Sequence, residues 1–395
     1  MAEEIVDAVG VNVPAQDLNG PQVAASFNYM DRYGEERDKR LGTGVRQYID
    51  PSKSDQYKHF LEDPWVEKGT PFNRPVEANS HIKTIIVGGG FGGLLFAVRM
   101  IQKGFSVDDI LIVEPAGGFG GTWYWNRYPG LMCDTESYIY LPLLEEMGYM
   151  PTRKYASGSE IRKYAESIAT KDWKTVIVEK GKGTPKVEVS VCADYVLFAS
   201  GVLANAKLPQ VEGFDTFKGH SFHTARWDYA YTGGSPEEPD LTKLKDKRVA
   251  YIGTGATAIQ SVPHLAKWSK ELYIFQRTPS AVDRRDNRDT DPAKWKSEVA
   301  TGEGWQRERS RNFHAFIGNA PEKPAVDLVD DEWTKMWSYS ALCGSPRTVT
   351  MDGLGEYVKS LHEIDYPRSD RVRKRCEKSV RDQATAKALQ AWYPG

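Results

Sequence analysis

Lys83-Thr84-Ile85-Ile86-Val87-Gly88-Gly89-Gly90-Phe91-Gly92-Gly93 decides the fold of this chain. Thr84 to Val87 is a short, continuous apolar β run, as expected of a parallel strand covered on both faces. A G-x-G-x-x-G turn follows at once. Gly88 permits the tight bend, Gly90 lets backbone approach a pyrophosphate, and Gly93 lets the next helix pack close to the strand. From Leu94 to Lys103 the apolar spacing is helical, Gly104 stops it, and Ile110-Leu111-Ile112-Val113 makes a second strand. Glu114, at the end of that strand, is placed to accept hydrogen bonds from ribose hydroxyls. Strand, turn, helix and acid in register imply a bound dinucleotide.

Working outward, Gly120-Gly121-Thr122-Trp123-Tyr124-Trp125 adds a second glycine turn followed by a hydroxyl and large rings. That combination suits a flavin better than a nicotinamide. A second unit begins at Arg248-Val249-Ala250-Tyr251-Ile252 and continues through Gly253-Thr254-Gly255-Ala256-Thr257-Ala258. Alanine in the third small position is a permitted variant. After the next strand, Leu272 to Phe275, the position where an NAD site places an acid holds Gln276-Arg277-Thr278. A guanidinium there pairs with a 2'-phosphate that a carboxylate repels, so NADPH is expected.

The remaining organisation predicts an N-terminal extension over 1–80, with a helix-compatible run at Glu35 to Leu41. The first part of an FAD-binding domain spans 81–213, with a β meander between Val176 and Phe198. An NADPH-binding domain spans 214–282 and 351–395, interrupted by a helical insertion at 283–350. The expected class is α/β: two Rossmann-like domains with a helical insertion in the second.

The 54 acidic and 52 basic residues nearly cancel, so the charge of −2 offers no footprint for nucleic acid or an anionic membrane. Four scattered cysteines form no CxxC pair, which argues against a disulfide framework or a zinc site. With no signal-like start and no apolar run approaching about 18 residues, a cytoplasmic, non-membrane protein is expected.

Phe217-Lys218-Gly219-His220-Ser221-Phe222-His223-Thr224-Ala225-Arg226-Trp227-Asp228, lying between the two glycine motifs, resembles the F-x-G-x-x-x-H-x-x-x-W-[PD] signature of Baeyer-Villiger monooxygenases. Gly120 to Gly130 and Cys133-Asp134-Thr135-Glu136-Ser137 are similar to that family's flavin-side block. The resemblance implies FAD contacts from Thr122, Trp123, Tyr124, Trp125, Asp134 and Tyr140. It implies NADP contacts from Met132, Cys133, Asp134, Thr254, Gly255, Ala256, Thr257, Ala258, Ile259, Gln260, Arg277 and Thr278. His223 and Trp227 would sit on a linker coupling domain motion to catalysis, although a lone histidine is more often structural. Asp134 would hold and tune an arginine beside the flavin.

In the family that arginine follows a W-Y-P-x-G-x-x-R-like block, and these residues run to Trp392-Tyr393-Pro394-Gly395. The resemblance therefore implies an incomplete FAD domain lacking its catalytic arginine, with a further shortening near Thr170 to Trp173. Loss of one such electrostatic contact costs about 3 kcal/mol. An exposed sheet edge would invite a protein partner. Three readings stay open: insertion of one oxygen atom from O2 beside a ketone carbonyl to give an ester or lactone; a truncated homologue that binds nucleotides or a partner, or catalyses a pathway step without flavin; and uncoupled NADPH oxidation.

Overall fold

An all-parallel sheet needs strands whose two faces are both apolar, and the glycine-flanked runs supply them. In the computed structural model, which describes residues 28–42, 48–67, 76–170, 177–178, 190–203, 205–343 and 349–393, β1 (His81–Val87) enters the first glycine turn. Helix α1 (Tyr29–Leu41) precedes it. After β1 come α2 (Phe91–Gln102), β2 (Ile110–Val113), α3 (Gly158–Thr170), β3 (Ile177–Val178) and β4 (Cys192–Phe198). The sheet order is β3-β2-β1-β4. Every pairing is parallel, with Val87 opposite both Val113 and Phe198.

The second unit is β5 (Arg248–Ile252), α4 (Ala256–Trp268) and β6 (Glu271–Phe275), again a parallel pair, with Ile252 opposite Phe275. Two Rossmann-like α/β units therefore stand as expected. Beyond β6 an extended linker leads to α5 (Trp305–Ile317) and then to the long helix α6 (Leu354–Ser379).

The segment expected as a β meander lies mostly outside the described residues, and the strand it closes on, Cys192–Phe198, pairs parallel with β1. The insertion is also less helical than expected: residues 318–336 after α5 are mostly turns and irregular chain.

The main core gathers Ile86, Leu94, Val98, Ile112, Trp123, Leu141, Tyr155, Ile161 and Tyr164 between α2, α3 and the first sheet. A second cluster holds Tyr128, Trp227, Leu241, Tyr251 and Leu265. By contrast, β4 and the turn after it expose Phe198 (78%), Val202 (95%) and Leu203 (77%), so this edge of the sheet carries bare apolar surface. The N-terminal helix joins the body through α6, where Tyr29 stacks on Tyr366 at 4.3 Å and Tyr33 meets His362 edge-on.

The turn geometry explains the glycines. Gly88 sits at φ +116°, and a Cβ on Gly93 would lie 1.9 Å from the Gly88 carbonyl oxygen. The helix can approach the strand this closely only without side chains. Gly93→Ala is expected to lower stability by at least the roughly 1–3 kcal/mol of an overpacked core, read as a lower urea midpoint with an unchanged slope.

Candidate dinucleotide sites and their junction

Both glycine turns deliver helices whose first N–H groups have no side-chain cap. The N-cap residues are Gly90 for α2 and Gly255 for α4, and neither helix start receives a side-chain hydrogen bond. Uncapped donors at the positive end of a helix dipole form an anion site. The second turn is also open: nothing lies within 4 Å of a Cβ built on Gly253 or Gly255. Thr254 donates its hydroxyl to the Thr278 carbonyl at 3.2 Å, which ties the turn to the segment carrying Arg277. Arg277 is exposed at the end of β6. Ala256 and Ile259 are also exposed on the first turn of α4, Thr257 is half-buried, and Ala258 packs inward.

At the first turn, Gly120 N–H donates to the Gly89 carbonyl at 3.0 Å, so the second glycine turn lies on the first. A Cβ on Gly121 would come within 2.9 Å of the Gly90 Cα. This close stacking places Thr122, Trp123, Tyr124 and Trp125, a single helical turn, directly after the cradle. The Trp123 indole donates to the Tyr140 hydroxyl at 3.1 Å. The buried Glu114 carboxylate accepts from Gly89 N–H at 2.5 Å and Ala116 N–H at 2.9 Å, which fixes it at the turn. Glycine backbone, uncapped N–H groups and a placed carboxylate are the donor and acceptor set that a dinucleotide requires.

The two units meet at residues 128–134. Met132 N–H donates to Gln260 Oε1 at 2.7 Å, and Gln260 Nε2 reaches the Tyr128 hydroxyl at 3.4 Å. Gly130, at φ +76°, approaches so near that a Cβ would lie 2.6 Å from the Gln260 carbonyl oxygen and 2.8 Å from His264 Nε2. The residues expected to contact NADP from the first unit, Met132 to Asp134, are thereby brought against α4 of the second unit.

Cys133 is buried, and burial pushes its thiol up to about 12, so it is held neutral and unreactive. Asp134 is mostly exposed, and its backbone carbonyl accepts from Trp333 Nε1 at 2.7 Å and Arg285 Nε at 3.1 Å. Two residues on, Glu136 is buried and forms a two-pronged pair with Arg309 of α5 at 2.6 and 2.8 Å. Burial pushes the Glu136 carboxyl up while Arg309 pulls it down.

His223 is an N-cap in this structure. Its Nδ1 accepts from Ala225 N–H at 3.1 Å, which places the proton of the neutral ring on Nε2. Trp227 is almost wholly buried and donates to Thr232 Oγ1 at 3.1 Å. The signature segment thus builds the second core and anchors the linker.

Several residues at this junction escaped sequence reasoning. Asp63, from the N-terminal extension, accepts from the Tyr124 hydroxyl at 2.8 Å and Gly117 N–H at 3.0 Å. Arg226 lies over the Trp125 ring at 3.7 Å, and burial lowers its guanidinium to about 10. Arg226 falls inside the signature and was open to notice, whereas nothing local marks Asp63. Among the described residues no group of three or more His, Cys, Asp or Glu is arranged to hold a metal ion. No described helix is long and apolar enough to cross a membrane.

Residues 82–327 match the family described as pyridine nucleotide-disulphide oxidoreductase. The chermesin D/asnovolin J monooxidase of Aspergillus novofumigatus is 47% identical over 398 residues, covering 92% of this chain and 60% of its own length. The polycyclic ketone monooxygenase of Thermothelomyces thermophilus is 43% identical over 428 residues, covering 100% of the chain and 64% of its own length. The solved structure of the polycyclic ketone monooxygenase from this thermophilic fungus superposes with a TM-score of 0.86 at 44% identity, over 93% of this chain and 63% of that one. The crystal structure of OTEMO in complex with FAD and NADP superposes with a TM-score of 0.57 at 26% identity, over 79% of this chain and 60% of that one. The chain thus spans less than two thirds of the length of these relatives.

Burial lowers the pKa of His223 and His264 below the ordinary 6.5, with Arg226 and Lys267 adding to it respectively. The folded state therefore takes up protons later than the unfolded one. Stability is complete above about 6.5 and falls as pH drops through the depressed folded values. Thermal melts between about pH 7.5 and pH 5.5 should show this acid loss, and His223→Gln should remove part of it.

Proposed function

The chain belongs to the pyridine nucleotide-disulphide oxidoreductase family, and we propose that it carries the FAD and NADPH modules of a Baeyer-Villiger-type flavin monooxygenase acting on a ketone. The single observation that carries this reading is the seam at Gly130 to Asp134. A block similar to the family's flavin side is hydrogen-bonded by Met132 N–H to Gln260, on the helix of the second glycine turn. The likeness to monooxygenases, one of them named for polycyclic ketones and another crystallised with FAD and NADP, supports the reaction class and both cofactors.

In this reading 81–213 holds FAD. Residues 214–282 and 351–395 hold NADPH, and 283–350 is an insertion between them. Gly88, Gly90 and Gly93 cradle the FAD pyrophosphate against the α2 N-terminus, and Glu114 takes the ribose. Thr122 to Trp125 and Tyr140 line the ring end. The open turn Gly253 to Ala258 takes the NADPH pyrophosphate, and Arg277 with Thr278 takes the 2'-phosphate. FAD held there would supply the redox chemistry by which NADPH, a proton and O2 convert a ketone to an ester or lactone, one oxygen atom entering beside the carbonyl and the other leaving as water. The protein orients the two rings across the seam, and Asp134 presents a carboxylate there. His223 acts by anchoring the linker.

Two experiments bear on this. The purified chain, mixed with FAD and desalted, should be yellow, and NADPH should bleach it. Ester from an added polycyclic ketone, followed by mass spectrometry, then reports oxygen insertion. Hydrogen peroxide equal to NADPH consumed, with no ester, would replace oxygen insertion by uncoupled oxidation. A colourless protein stabilised by NADPH alone would replace it by nucleotide binding. Separately, Arg277→Asp should weaken NADPH binding by about 10- to 100-fold, the worth of a hydrogen bond to a charged group of roughly 1.5–3 kcal/mol, and leave NADH binding nearly unchanged.

A further inference from the structure

The Asp134 carbonyl oxygen receives two side-chain donors that come from the same stretch of chain. Arg285 Nε donates at 3.1 Å, and the Trp333 indole donates at 2.7 Å. The two donors also hold each other: the Arg285 guanidinium lies 5.3 Å over the Trp333 ring. A carbonyl oxygen has two lone pairs, and here both are taken by groups with planar, few-rotamer ends. The same guanidinium places its terminal NH2 3.5 Å from Asp134 Oδ2. One arginine therefore fixes the backbone of this residue and faces its carboxylate.

The donors are themselves held. Asn287, two residues from Arg285, donates to the Tyr155 carbonyl at 3.1 Å and accepts from Tyr155 N–H at 3.0 Å. Lys154 N–H donates to the Arg288 carbonyl at 2.9 Å, and Thr290 N–H to the Thr152 carbonyl at 2.8 Å. These bonds lace the linker after β6 onto residues 152–155. Trp333 is seated by its own N–H, which donates to Asp331 Oδ1 at 2.8 Å, and by an edge-on contact with Tyr339 at 5.0 Å. Asp331 in turn accepts from the buried Tyr155 hydroxyl at 2.9 Å.

We propose that Arg285 and Trp333 are positioning residues that clamp the Asp134 carbonyl, so that the linker and insertion set how the Asp134 carboxylate is presented at the junction of the two nucleotide sites. The proposal rests on the reading of that junction as the place where NADPH meets FAD. The solvent-screened ion pair contributes little by itself. The carbonyl clamp carries the geometry.

The test uses the full chain with R285M, R285K and W333F. Trp333→Phe keeps one aromatic ring for the contact with Tyr339 and removes the N–H together with the fused five-membered ring. In R285M and W333F, NADP+ binding by calorimetry should weaken about 3- to 10-fold, the worth of one hydrogen bond, with the unfolding midpoint unchanged. R285K keeps the charge but not the fork and should fall between R285M and the parent protein. Amide hydrogen exchange gives an independent readout. The N–H groups of Cys133 and Ser137, which donate to the Ala156 and Lys154 carbonyls at 3.0 and 2.7 Å, should exchange faster in R285M and W333F, while amides in β1 do not change. Exchange at Cys133 and Ser137 that matches the parent protein in both variants would overturn the clamp. Should the parent protein bind no NADP+, the functional reading falls, and the exchange data still decide the clamp.

Discussion

One hydrogen bond, from Met132 N–H to the side chain of Gln260, marks the constraint on which the site depends. It exists because Gly130 has no side chain. Any Cβ there would collide with the Gln260 carbonyl and the His264 ring, and the local φ of +76° already favours glycine. The two nucleotide units therefore touch backbone to side chain, with no bulky layer between them. Redox traffic between two bound dinucleotides needs such closeness, because their reactive rings must meet while their phosphates sit on different helices.

Around that seam the structure spends its polar interactions on orientation rather than on bulk stability. Glu136 and Arg309 form a buried two-pronged pair, and Lys154 beside it donates to the Val329 carbonyl at 2.8 Å. Pairs of this kind gain little net stability after desolvation, but breaking one costs much. Their effect is to lock Arg309 and the chain at Val329 onto Glu136 and Lys154 in one arrangement. Asp63 does similar work from the N-terminal side by taking both the Tyr124 hydroxyl and the Gly117 N–H. The aromatic block after the second glycine turn is thus held from two segments far apart in sequence, by Asp63 on Tyr124 and by Arg226 over Trp125.

The first sheet is less evenly finished. Its interior strand β1 is flanked on both sides, whereas β4 leaves Tyr195, Val196 and Phe198 exposed. Continuous apolar character in a strand normally signals cover on both faces, and Ile86, Leu111 and Ile112 are buried accordingly, whereas Val196 and Phe198 of β4, at the end of the described sheet, are exposed. The parallel direction of β4 was likewise hidden, because direction depends on what the strand pairs with.

What the sequence determined by itself was local: the two strand-turn-helix units, the acid at 114, the arginine at 277 and the signature between them. Each of these is set by residue type at short spacing, where glycine, helix starts and charge have direct physical consequences. The junction was not local. That Gln260 receives Met132, that Arg285 and Trp333 converge on the Asp134 carbonyl, and that Asp63 grips Tyr124 follow from chain segments separated by 61 to 199 residues. Only the tertiary structure could decide them, since a single sequence carries no short-range pattern for a contact whose two halves meet after folding.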